Sequence, residues 1–137
     1  MIDKIEVGKI SLEVINLLGL DLSADTPVYV GATNIAHMSK EHNYEFNRYY
    51  DNLSDIISTA DYVRLREADG SIEYIKLFGK YIKLAIRIAG DGKYYARSLY
   101  FIETDRVENL IKKGELKKLT KSKKSDIIDL KTKEFED

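Results

Sequence analysis

Tyr62-Val63-Arg64-Leu65-Arg66, Tyr74-Ile75-Lys76-Leu77, the run from Tyr81 to Ile88 and the run from Tyr94 to Ile102 decide the fold. A strand sends alternate side chains to opposite faces, so each run can be sorted into two sets. Val63 and Leu65 alternate with Tyr62, Arg64 and Arg66, and Ile75 and Leu77 alternate with Tyr74 and Lys76. In the third run Ile82, Leu84, Ile86 and Ile88 oppose Tyr81, Lys83 and Arg87. The fourth, with Leu99 and Phe101 inward, presents Tyr94, Ser98 and Tyr100. Asp69-Gly70 and Gly90-Asp91-Gly92 read as hairpin turns, so the runs pair in order as a meander. The sheet then has one apolar face and one face of Arg, Lys, Tyr and Ser. Phosphodiesters suit such a face, because cations hold phosphate while tyrosine rings stack on bases.

Outward from this region the helical signals are short. Ser11 to Leu18 predicts a helix with Leu12, Ile15 and Leu18 on one stripe and Gly19 as its stop. Pro27 precedes a brief strand, Val28-Tyr29-Val30. Thr33 or Asn34 can cap a second helix running through Ile35, Met38 and His42 toward Tyr49, and Asn52 a third over Leu53 to Thr59. Asp105-x-x-Glu108 reads as a capping box for a closing helix through Val107, Leu110 and Ile111, ended by Gly114. The expected class is α+β: short N-terminal helices packed on one face of a four-stranded, mostly antiparallel sheet, with a C-terminal helix. Residues 1–118 read as one domain and 119–137 as a charged, flexible tail.

Composition narrows the functional classes. Cysteine is absent, which removes disulfides and thiolate chemistry, and no apolar run approaches the roughly 18 residues needed to span a bilayer. A cytoplasmic protein with no membrane partner is the expectation. The formal net charge of -1 conceals segregation. Residues 1–61 hold 4 Lys/Arg and 10 Asp/Glu, residues 62–124 hold 16 and 8, and the remainder 2 and 5. A basic block of this kind either meets an anionic partner or docks on the acidic half of its own chain.

His37 and His42 are the only histidines, and on a regular helix five residues separate them by about 140°. They do not share one metal, and no metal ligand set or cofactor is expected. Acid/base work by one of them is the functional reading; a satisfied histidine beside the Ile35/Met38 stripe and a solvated one is the plain reading.

The ordered set Val7-Gly8-Lys9-Ile10, Val28-Tyr29-Val30, Asn34-Ile35-Ala36-His37-Met38-Ser39-Lys40-Glu41-His42, Ala60-Asp61-Tyr62-Val63, the strand through Lys83, and Tyr100 with the closing helix resembles a known group. It is similar to the phage- and mobile-element-associated nuclease-like domains of the barnase/EndoU/colicin/RelE superfamily, from about Val7 to Lys118. One departure is Thr59-Ala60-Asp61, where such domains often carry an Asn-Pro-Asp turn. The resemblance implies metal-independent RNA cleavage by attack of the 2′-hydroxyl, in a toxin or an RNA-processing factor, with RNA and a cognate inhibitor protein as partners. His42 or His37 is then the acid or base, Lys83 and Arg87 hold and neutralise the phosphate, and Ser98 and Tyr100 bond its oxygens. Tyr62, Arg64, Arg66, Tyr74, Lys76 and Tyr81 are the expected RNA-binding surface. The alternatives are a non-catalytic RNA- or protein-binding module and a phage accessory protein on the same scaffold.

Overall fold

The computed structural model describes residues 4–41 and 43–120. Its elements run β1 (Lys4–Ile10), α1 (Leu12–Leu18), β2 (Thr26–Gly31), α2 (Ala32–Glu41), α3 (Asn43–Tyr49), a 3-10 turn (Tyr50–Asn52), α4 (Leu53–Thr59), β3 (Tyr62–Arg66), β4 (Ser71–Phe78), β5 (Lys80–Ile88), β6 (Tyr94–Phe101), α5 (Thr104–Lys112) and β7 (Lys117–Lys118). The class is α+β, but the expected four-stranded sheet is corrected to seven strands in the order β1-β2-β6-β5-β4-β3-β7. The meander β3 to β6 is antiparallel as expected; the parallel pairing of β2 with β6 makes the sheet mixed.

β1 and β7 escaped the sequence, and so did the place of β2 in the sheet, for identifiable reasons. A register shift between Glu6 and Gly8 breaks the period of two in β1, so its apolar residues do not alternate regularly. β2 was read as a brief strand, without its place beside the distant β6. β7 is only two residues long, too short for any periodic signal.

The expected packing of helices on a single face is corrected as well. Val14 and Ile15 of α1, Met38 of α2, Tyr49 of α3 and Leu53, Ile56 and Ile57 of α4 join Val63, Ile72, Tyr74, Leu84, Ile86 and Leu99 in the main core. On the opposite face Val107 and Leu110 of α5 pack with Ile75, Ile102 and Leu116. Local signals account for several helix ends. Ser11 Oγ accepts from Val14 N–H at 3.3 Å, and Gly19 closes α1 in the left-handed region at φ 66°. At α5 the residue before the first turn is Glu103, which makes no side-chain cap bond, so the expected capping box from Asp105 does not form. The expected second helix is two helices, α2 ending at Glu41 and α3 beginning at Asn43. Among the described residues no helix is long and apolar enough to cross a membrane.

Candidate active site

Cross-strand register lays the face opposite the main core out in three rows. Tyr62, Ile75, Lys83 and Tyr100 form the first; Arg64, Glu73, Ala85 and Ser98 the second; Arg66, Ser71, Arg87 and Tyr95 the third. α5 covers the first row at Ile75, with Tyr62 and Tyr81 half-buried against it. The other two rows remain open around Ala85, whose single methyl leaves a floor beneath the larger side chains.

A cleft of about 140 Å³ stands over that floor, lined by His37, Arg66, Asp69, Ser71, Glu73, Arg87, Arg97, Ser98 and Tyr100. A second, of about 570 Å³, shares Arg66, Glu73 and Tyr100 with it and adds Arg64, Lys83, Glu103 and Arg106. Together they gather six cations, Arg64, Arg66, Lys83, Arg87, Arg97 and Arg106, against the carboxylates Asp69, Glu73 and Glu103. His37 reaches the cleft from the side. β2 pairs with β6 only at Val28 and Tyr29, after which the chain turns into α2, and α2 flanks the remainder of β6.

Glu73 organises the middle row. It is buried, with its Oε1 accepting from Arg64 Nη1 at 2.9 Å and its Oε2 from Lys83 Nζ at 3.2 Å. Arg64 also donates to Glu115 Oε1 at 2.9 Å. Burial works against the Arg64 charge, but Glu73 and Glu115 outweigh it and hold the guanidinium above its usual pKa. Lys83 Nζ lies 4.7 Å from the centre of the Tyr100 ring, a cation–π contact that fixes both. Asp69 joins the third row, 3.3 Å from Arg66 Nη1 and 3.6 Å from Arg87 Nη1. Hydrogen bonds from Ser71, and then the two arginines, hold the Asp69 carboxyl below its usual value.

Of the residues expected at the site, His37, Lys83, Arg87, Ser98, Tyr100, Arg64 and Arg66 converge on these clefts. Tyr62 and Tyr81 share the face but lie under α5, and burial comes first in raising the Tyr81 phenol above its usual pKa. Tyr74 and Lys76 lie on the other side of the sheet. Tyr74 is fully buried in the main core, and Lys76 donates to the Thr59 carbonyl at 3.2 Å. His42 lies outside the described residues. Sequence reasoning missed Glu73, Asp69 and Arg97. Extending the β4 window back to Ser71 would have found Glu73, because Ser71 and Glu73 alternate with Ile72 and Tyr74. Arg97 carried no such signal, since it is the extra residue of a bulge.

Another cleft, about 600 Å³ between α1 and β3, is lined by Leu17, Leu18, Leu65 and Gly114 beside Arg64 and Arg66. Glu67, Glu115 and Lys117 also line it, but His37, Lys83, Arg87, Ser98 and Tyr100 do not; these lie at the two clefts on the face over Ala85. A family model described as phage-Barnase-EndoU-ColicinE5/D-RelE like nuclease3 matches residues 5–109, which carry every lining residue of the two cationic clefts. No curated protein and no solved structure matches the chain.

Proposed function

The chain belongs to the phage-Barnase-EndoU-ColicinE5/D-RelE like nuclease3 family, and we propose that it cleaves RNA by attack of the 2′-hydroxyl on the adjacent phosphorus, without a metal ion. One observation carries the reading: an imidazole, three hydroxyls and several guanidinium groups line a single small cleft over Ala85. Its inner carboxylates are already engaged, Glu73 by Arg64 and Lys83, and Asp69 by Arg66 and Arg87. Charge on a phosphorane there is met by side-chain cations.

In the proposed step a base removes the 2′-hydroxyl proton and the 2′-oxygen bonds to phosphorus. The bond from phosphorus to the 5′-oxygen breaks, and an acid protonates that oxygen. The products are a 2′,3′-cyclic phosphate and a 5′-hydroxyl. His37 takes one proton-transfer role, with His42 as the alternative, and the Tyr100 hydroxyl takes the other. Lys83, oriented by Glu73 and the Tyr100 ring, and Arg87 stabilise the added charge. Ser98 hydrogen-bonds a phosphate oxygen. Glu73 is a positioning residue, since both its oxygens are occupied by cations.

The test is cleavage of a single-stranded RNA in EDTA, with product analysis for the cyclic phosphate. His37→Ala should lower turnover by roughly 10²- to 10⁴-fold with little loss of affinity, whereas Arg87→Ala should weaken both. If His42→Ala carries that loss and His37→Ala does not, the imidazole is reassigned. Binding without cleavage from pH 5 to 8 would favour a non-catalytic module, and cleavage abolished by EDTA would remove the mechanism.

A further inference from the structure

Arg97 is the residue of this face that the cleavage site leaves unexplained. It is the extra residue of a β-bulge: Ser98 pairs with Ala85 and Ala96 with Ile86, so Arg97 has no opposite number on β5. Bulges re-aim a side chain, and this one turns a cation toward the junction of two clefts. Arg97 lines the small cleft with His37, Ser98 and Tyr100, and it also lines a neighbouring cleft of about 410 Å³ beside Tyr95, Asn34 and Asp91. Arg64, Arg66, Lys83 and Arg87 each pair with a carboxylate, but Arg97 has no ion-pair or hydrogen-bond partner among the described residues. A half-buried guanidinium with no ion-pair partner among the described residues is poised for an anion from outside.

The neighbouring cleft has one aromatic lining residue, Tyr95, with Tyr29 beside it on the next strand. Tyr29 and Tyr95 are cross-strand partners with ring centroids 6.0 Å apart, both half-exposed, on the face that carries Arg87. The Tyr95 hydroxyl donates to Asp91 Oδ2 at 2.6 Å, while Asp91 Oδ1 accepts from Lys93 N–H at 2.9 Å. Both oxygens of that carboxylate are therefore occupied, and they hold the Tyr95 ring in place. Arg87 and Tyr95 stand directly opposite each other on β5 and β6, so the aromatic pair begins where the phosphate-binding row ends.

We propose that Arg97 and the Tyr29/Tyr95 pair form a second nucleotide subsite, in which the guanidinium binds the phosphodiester next to the scissile one and the rings stack on the base beyond it. The subsite rests on the proposed ribonuclease reading for the position of the scissile phosphate. It adds that the chain engages at least two successive phosphates of a single strand and favours a substrate extended at one end only.

The experiment measures affinity, so that it does not depend on turnover. The probes are 2′-O-methyl oligonucleotides that cannot be cut: a dinucleotide with one phosphate, and trinucleotides lengthened at the 5′ or the 3′ end. The wild-type full chain should bind one of the two trinucleotides roughly tenfold more tightly than the dinucleotide, and the other with little gain. Arg97→Gln and Tyr95→Leu should each reduce that gain to about twofold or less, while Tyr95→Phe, which keeps the ring, and Lys113→Gln, an exposed cation remote from the cleft, should retain most of it. Thermal melts of each variant separate loss of the subsite from loss of fold. A wild-type protein that gains nothing from the added nucleotide overturns the proposal, and so does a gain that survives in both Arg97→Gln and Tyr95→Leu. If the gain is present and sensitive to both variants while no RNA is ever cleaved, the subsite stands and only the ribonuclease reading fails.

Discussion

Tyr74 is the residue whose placement departs furthest from its sequence reading, and the departure is testable. Its ring lies in the main core with no hydrogen-bond partner for the hydroxyl among the described residues, and burial drives the phenol well above its usual pKa. An unsatisfied buried hydroxyl costs about 1–3 kcal/mol, so Tyr74→Phe should raise stability by about 1 kcal/mol in chemical denaturation and leave RNA affinity unchanged. A fall in stability would reveal a partner for the hydroxyl inside the core. Asp69 gives the pH dependence. Its folded pKa lies below the ordinary 3.8, so its bonds with Ser71 and its pairing with the two arginines contribute in full above about pH 4. That contribution disappears as pH falls through the depressed folded value. Asp69→Asn keeps an acceptor for the Ser71 N–H but removes the charge, so the variant's stability should fall less steeply than wild type below about pH 4. Parallel curves in that window would mean that the carboxylate's environment is the same folded and unfolded.

At the scale of elements, legibility followed the length and regularity of each alternation. β3 and β5 alternate without interruption, and Arg64, Arg66, Lys83 and Arg87 lie on the face they were read onto. β4 inverted because a four-residue window has two equivalent phases; the whole strand, Ser71–Phe78, is buried on both sides over its first five residues. In β6 the bulge at Arg97 shifts the phase by one, so Ser98 and Tyr100 face outward while Tyr94 packs against the core. No local pattern could announce that β2 lies beside β6, because that contact joins segments more than sixty residues apart. β1 also carries a packing constraint of its own. A Cβ at Gly8 would stand 2.9 Å from Ile57 Cδ1, 3.1 Å from its Cγ2 and 3.2 Å from its Cβ, so α4 approaches β1 only because the strand has no side chain there. Gly8→Ala should destabilise by about 1–3 kcal/mol through overpacking. In a double-mutant cycle, Ile57→Ala should cost less in the Gly8→Ala background than in wild type, by about 1 kcal/mol. Additive effects would place the strain elsewhere.

For the whole molecule, the basic segment supplies counter-charges to its own cations. The ion pairs of Arg64, Arg66, Lys83 and Arg87 run to Glu73, Glu115 and Asp69, within the basic block itself. The cationic face is therefore built on counter-charges from its own segment and lies on the side of the sheet opposite the main core. Binding of single-stranded RNA to it should release counterions, and with about three phosphates engaged the slope of log affinity against log salt should be near -2. The cations should not contribute equally. Arg97 has no carboxylate partner among the described residues, so Arg97→Ala should make the slope shallower by about 0.7, the share of one phosphate on a single strand. Lys83 is buried with Glu73 already as its counter-ion, so its charge adds little to the field felt by an approaching strand and acts on a phosphate only once that phosphate is seated. Lys83→Ala should accordingly lower turnover while changing the salt slope by less than Arg97→Ala does. A slope near zero in the wild type would remove nucleic acid as the ligand of this face, and equal slope changes in the two variants would show that the Lys83–Glu73 pair opens when RNA binds.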